Sequence, residues 1–270
     1  MSPRIPLPPD IPLPVFGVNE AIGAGLGRGR LRGADLAAPY RGVRIATDHA
    51  PTLLQLCLAR SLTLNSDAWF SGITAAALTG VPLPARLEGS AVLHVTVPSP
   101  MRAPAGRGVS GHSQLRSGGD IRRWRGVTIS TPERLWCELG ASLNLTELVA
   151  AGDYLIHWDL PHTNEIALAK ALSTYPGRGG VPVLRRALEL LHPRSESPKE
   201  SELRVILVLA GLPGLAVNWW INTTDGFRYR ADLAFPLTKV VLEYQSAFHE
   251  SRESRRRDMT RRSRLEARGG

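Results

Sequence analysis

Two carboxylates near the end of the chain stand where acids are costly. Asp232 interrupts the apolar run Ala231-Asp232-Leu233-Ala234-Phe235, and Glu243 closes the run Val240-Val241-Leu242. An ionised carboxylate buried alone is strongly destabilising, and two on neighbouring strands repel each other. A divalent cation between them removes both penalties, and phosphodiester hydrolysis uses such an ion to polarise phosphate and activate water. Asp232 and Glu243 therefore read as candidate ligands for Mg2+ or Mn2+. A strand register shifted by one residue would put both on a solvated face instead, and at the level of sequence that alternative stays open. A third acid, Glu200, lies three residues after Ser197, where a glutamate closes a capping box.

The elements that must position these acids follow in a simple order. Ser197-Pro198-Lys199-Glu200 opens a helix whose apolar residues Leu203, Ile206, Leu207 and Leu209 keep helical spacing until Gly211. An alternating strand is expected over 215–221, a turn-rich link over 222–226 and a second strand over 227–235. A third strand over 239–244 is more apolar, which predicts a central place in the sheet. An arginine-rich helix is expected from residue 251, and its Arg255, Arg256, Arg261 and Arg262 would meet phosphates beside a candidate nuclease site.

Upstream, helical patterns at 145–157, 164–172 and 183–191, broken by Tyr175-Pro176-Gly177-Arg178-Gly179-Gly180, read as a helical connector. Before it lie helices at 53–62 and 72–78, strands at 92–97 and 127–129, and a helix started by Ser130-Thr131-Pro132-Glu133. The first residues form a Pro-rich, extended leader. A short helix over 18–25, a turn at Leu26 and Gly27, an arginine-rich helix over 28–36 and a strand over 41–45 then resemble a small winged helix. Its Arg28, Arg30 and Arg32 would contact DNA. Gly23, Gly25, Gly27, Gly29 and Gly33 equally support a glycine-rich surface loop. Their spacing is not GxGxxG and no GK[ST] follows, which excludes a nucleotide-cofactor loop there. His94, His157, His162 and His192 lack metal-ligand spacing and read as structural.

Composition bounds the partners. The formal net charge of +9 over 270 residues comes mostly from arginine, whose planar fork suits phosphate, so DNA is the expected partner. The length and 43% hydrophobic content predict two domains with packed cores. Cys57 and Cys137 sit among apolar neighbours without a CxxC pair, which fits a reducing compartment, the cytoplasm. No apolar run reaches the roughly 20 residues that a spanning helix needs, so no membrane is expected.

The stretches Glu196-Ser197-Pro198-Lys199-Glu200-Ser201, Ala231-Asp232-Leu233-Ala234 and Val241-Leu242-Glu243-Tyr244, with His249, Asp258 and Arg261, resemble a known family. It comprises actinobacterial proteins with a C-terminal domain related to very-short-patch-repair endonucleases, within the PD-(D/E)xK superfamily. Tyr40-Arg41-Gly42-Val43, Gly80-Val81-Pro82-Leu83-Pro84 and His94-Val95-Thr96-Val97 are similar to the N-terminal region of AbiEi-type antitoxin regulators. The resemblance implies an α/β fold: a restriction-endonuclease-like α-β-β-β-α core over 195–270, lacking the last strand that relatives carry. Before it would come a disordered leader over 1–15, an α-rich AbiEi-like region over 16–140 and the connector over 141–194. It implies Asp232 and Glu243 as metal ligands, Glu200 as a further catalytic acid, and His249 as a general acid or phosphate contact. Gln245 stands where the superfamily has Lys; it can orient water but supplies no charge. The expected activity is metal-dependent DNA cleavage, impaired by Gln245. The alternative is a non-catalytic, antitoxin-like DNA-binding regulator, completed by an oligomer or partner protein.

Overall fold

The computed structural model of the chain describes residues 6–177, 179–222, 226 and 228–244. In chain order its elements are strand β1 (Val15–Gly17), helix α1 (Val18–Gly23), strands β2 (Leu36–Ala37) and β3 (Val43–Ala46), helix α2 (Leu53–Ser61), strand β4 (Trp69–Phe70) and helix α3 (Gly72–Thr79). Strands β5 (Leu93–Pro98), β6 (Val109–Gln114), β7 (Ile121–Trp124) and β8 (Val127–Ser130) follow. Helices α4 (Pro132–Leu139), α5 (Leu145–Leu155), α6 (Glu165–Thr174), α7 (Val181–Leu188) and α8 (Pro198–Leu209) lead to strands β9 (Ala216–Asn222), β10 (Arg228–Phe235) and β11 (Val240–Leu242). The fold is mixed α/β. Among the described residues no helix is long and apolar enough to cross a membrane.

The chain divides into two units: 1–143 with 166–184, and 144–165 with 185–270. The first unit holds two sheets. One has the order β1-β3-β2, all antiparallel. Phe16, Ala21, Leu26, Leu31 and Leu36 form an apolar core beside it, and Ile11, only 3% exposed, joins that core. Within the leader expected over 1–15, Leu7 and Ile11 are therefore packed against this core, because both have apolar surface to bury. The arginine-rich helix expected over 28–36 is replaced by a single 3-10 turn, Arg30–Arg32, leading into β2. Gly27, Gly29 and Gly33 make a longer helix expensive there.

The other sheet of this unit has the order β6-β5-β4-β8-β7, with β5 parallel to β6 and β4 parallel to β8. An α-rich region was expected here; the two sheets correct that. Trp69, Phe70, Ile129, Leu135, Trp136 and Leu139 are buried around the sheet. Within this apolar setting Glu138 of α4 accepts from Gly72 N at 2.9 Å, Ser130 Oγ at 2.8 Å and Arg134 Nε at 3.0 Å. Arg134 also donates to Asp120 at 3.1 Å and to Gln114, and lies over the Tyr175 ring. Burial pushes the Glu138 carboxyl up and Arg134 opposes that shift. Gly180 has φ 75°, and a Cβ on it would collide with the Gly140 carbonyl, so only glycine fits that crossing.

The second unit is built from α5, α8 and an antiparallel sheet of order β11-β10-β9. β10, not β11, is the middle strand: β11 extends over three residues only and pairs on one side among the described residues. The helices expected as a connector over 141–194 are shared between units, since α5 falls in the second and most of α6 in the first. α5 begins with a capping box, Asn144 with Glu147, and carries Asp153 on its buried face. Asp153, 1% exposed, accepts from His192 N at 2.7 Å, Ser201 Oγ at 2.7 Å and Arg204 Nη2 at 2.8 Å. This one carboxylate ties α5 to α8 and to the segment that precedes it.

Candidate functional site

β10 alternates regularly. Tyr229, Ala231 and Leu233 are buried, while Arg228, Arg230 and Asp232 alternate with them and so share the opposite face. Leu233 pairs with Leu242 at the end of the antiparallel ladder, and Glu243 follows directly after it, exposed. That register carried one residue past the ladder would put Glu243 across from Asp232, on the face a common ion would require. Asp232 Oδ2 accepts from the Tyr244 backbone N–H at 3.1 Å, which fixes the strand end where Glu243 sits.

Glu200 approaches from α8. Its side chain closes the first turn: Ser197 Oγ donates to Oε1 at 2.8 Å and the Glu196 N–H donates to Oε2 at 3.1 Å, while the Glu200 N–H donates to Ser197 Oγ at 3.2 Å. Burial raises its carboxyl pKa; these hydrogen bonds oppose the shift, and the negative charges of Asp232 and Glu196 add to it. Glu200 and Asp232 are thus within electrostatic reach of each other. The capping role read from sequence and the proximity to Asp232 hold together, because N3 of α8 faces β10. Arg230 of β10 completes the link with a 2.6 Å ion pair to Glu196.

The donor set can be tested against a cation. Among the described residues no group of three or more His, Cys, Asp or Glu side chains could hold a metal ion, so a cage made wholly of protein ligands does not fit. Mg2+ asks for less, since it keeps several waters and takes one or two carboxylates plus substrate phosphate, and Asp232 and Glu243 are the carboxylates that would hold it. The upward shift of Glu200 comes mainly from burial, with a smaller part from the negative charges of Asp232 and Glu196.

No family model matches the chain. Two proteins from two strains of Mycobacterium tuberculosis, each described as an uncharacterized protein, are 27% identical to it over 241 residues, which is 89% of this chain and 85% of theirs. The crystal structure of the RV2827C protein from Mycobacterium tuberculosis is similar with a TM-score of 0.43 and 17% identity, over 71% of this chain and 75% of that one.

Other expected site residues are distributed as follows. Gln245, His249, Arg255, Arg256, Arg261 and Arg262 lie outside the described residues. Arg28 and Arg32 are exposed. Arg30 is turned inward, its fork on Asp35 at 2.9 and 2.6 Å with a side chain only 7% exposed, so its charge serves the fold and not a phosphate. Sequence reasoning missed Trp220, whose ring carries Arg228 at 4.4 Å and Arg230 at 5.9 Å. It also missed His112, whose Nε2 lies 3.5 Å from His94 Nδ1. Burial and then His112 itself lower the pKa of His94, so His94 resists protonation. The signal for His112 was hidden because β6, Val-Ser-Gly-His-Ser-Gln, has no apolar alternation.

Proposed function

We propose that the chain is a metal-dependent DNA endonuclease-like protein of the PD-(D/E)xK superfamily, with its reaction centre on Asp232, Glu243 and Glu200. The observation that supports this reading is that Glu200 of α8 lies in electrostatic reach of Asp232, with Glu243 directly after the end of the β10–β11 ladder, where its register carried one residue on would face Asp232. The helix followed by a three-stranded antiparallel sheet agrees with the core of that superfamily. A Mg2+ or Mn2+ ion held by Asp232 and Glu243 would polarise a phosphodiester and acidify a bound water. Glu200, with its carboxyl raised by burial, suits accepting a proton at Oε1 or Oε2. Arg228, exposed on the same face of β10, would hold the backbone phosphates. Arg28 and Arg32 offer a further phosphate contact in the AbiEi-like region. The net charge of +9 supports DNA as the partner, and the cysteines Cys57 and Cys137, without a CxxC pair, support the cytoplasm as the place.

One set of observations favours a second reading, a non-catalytic DNA-binding regulator of antitoxin type. Both oxygens of Glu200 and one of Asp232 already accept hydrogen bonds from the protein, and Gln245 stands at the position of the superfamily's Lys. The deciding experiment is Mg2+- or Mn2+-dependent cleavage of plasmid and mismatched duplex DNA by the purified chain, beside Glu243→Ala. Cleavage that the variant loses supports the endonuclease; salt-sensitive binding without cleavage supports the regulator; absence of both refutes the DNA reading altogether.

A further inference from the structure

Trp219 and Trp220 stand side by side in β9, 45% and 47% exposed. Neither belongs to the apolar cluster of Tyr229, Ala231 and Ala234 that the sheet buries. Trp220 pairs directly with Arg230 on β10, and Trp219 with Ala231, so the two indoles project from opposite faces. Of the two, Trp220 carries guanidinium groups on its ring among the described residues, those of Arg228 and Arg230. A half-exposed indole bracketed by arginines contributes little to a core. It does supply a broad π face beside positive charge, the combination by which nucleic-acid strands are held through base stacking and phosphate contact.

We propose that Trp220 with Arg228 and Arg230 is a stacking seat for an unpaired base of a DNA strand, set on the sheet face that also carries Asp232. Charge decides for nucleic acid over an apolar partner, because Arg228, exposed over the ring, would lose its hydration under an apolar surface, whereas Arg230 keeps Glu196. Pairing decides for an unpaired base, since bases inside a duplex are covered by their neighbours and offer no free face. Asp232 lies two residues beyond Arg230 on the same face, about 7 Å along the strand, so a base seated on Trp220 leads its own backbone past the carboxylates. The inference rests on the DNA reading above and adds that single-stranded or locally opened DNA is the preferred form.

The test uses the full chain, an oligothymidylate and a fully paired duplex of equal length, with binding followed by anisotropy of the labelled DNA. Trp220→Ala is expected to weaken oligothymidylate binding about tenfold or more and duplex binding by less than about threefold. Trp219→Ala should alter neither. Trp220→Phe, which keeps an aromatic face, should restore most of the single-strand affinity, while the tryptophan quenching that accompanies binding persists in Trp219→Phe and disappears in Trp220→Phe. If the wild type binds DNA and Trp220→Ala weakens both forms equally, or neither, the stacking seat is refuted and the DNA reading survives. If the wild type binds neither form, both fall.

Discussion

Replacing Asp153 with alanine would leave three donors in the second unit without their acceptor: Ser201 Oγ, Arg204 Nη2 and the His192 N–H. The gravest of these is Arg204, whose side chain is 6% exposed and whose ion pair with Asp153 measures 2.8 Å. Breaking a buried pair by removing one partner costs about 3–5 kcal/mol, because the remaining charge stays desolvated. Set against a whole-domain stability of about 5–15 kcal/mol, that loss removes a large share of what holds α5 and α8 together. Asp153→Asn keeps the shape and one acceptor oxygen, so its cost should be smaller, about 1–3 kcal/mol. Arg204→Met in the Asp153→Ala background should recover part of the loss, since it removes the stranded charge. Urea unfolding followed by tryptophan fluorescence measures all three. An Asp153→Ala variant that loses less than about 1 kcal/mol, or an Arg204→Met change that adds its own full cost on top, would refute the argument.

In the first unit, Glu138→Ala leaves Gly72 N–H and Ser130 Oγ without their acceptor while Arg134 keeps its ion pair with Asp120, and should lower unfolding free energy by about 2–3 kcal/mol in the same assay. The raised carboxyl of Glu200 means that the folded chain keeps a proton which the unfolded chain gives up. Its contribution to stability is therefore present below its ordinary pKa of 4.5 and is lost as pH rises through the folded value. A cation that takes the proton's place should raise Tm at neutral pH and fail to do so below pH 4.5; Mg2+ scans with and without Asp232→Ala check this, and an equal shift in the variant would count against the site. Cys57 and Cys137 are buried thiols pushed up to about 12, so a thiol reagent at neutral pH should label the folded chain at neither position and both after denaturation, as read by mass.

The helices were the most legible part of the sequence. Each expected helix over 53–62, 72–78 and 145–157 appears within a few residues as α2, α3 and α5, because apolar spacing and a cap mark it locally. Strand β4 was not legible: two residues, Trp69 and Phe70, carry no period, and their place between β5 and β8 depends on partners far along the chain. β11 misled for a different reason, since its apolar Val-Val-Leu suggests a middle strand although Val240 is 45% exposed. Asp232 and Glu243 could be singled out because each interrupts an apolar run. Asp153 could not, because its partners Ser201 and Arg204 lie 48 and 51 residues later and nothing local announces them. The arginines teach the same lesson: Arg28, Arg30 and Arg32 look alike in sequence, and only Asp35 separates the middle one from its neighbours.

Neither unit is a continuous stretch of sequence, because 166–184 belongs with the first and 144–165 with the second. During synthesis α5 leaves the ribosome well before α8, so Asp153 waits, uncompensated, until Ser201 and Arg204 arrive. A genetic crossover at a single point between 144 and 194 would transplant half of one core and half of the other. Inheritance of the acid-bearing sheet by another gene would have to carry α5 with it, which binds the two halves of this chain into one evolutionary cassette.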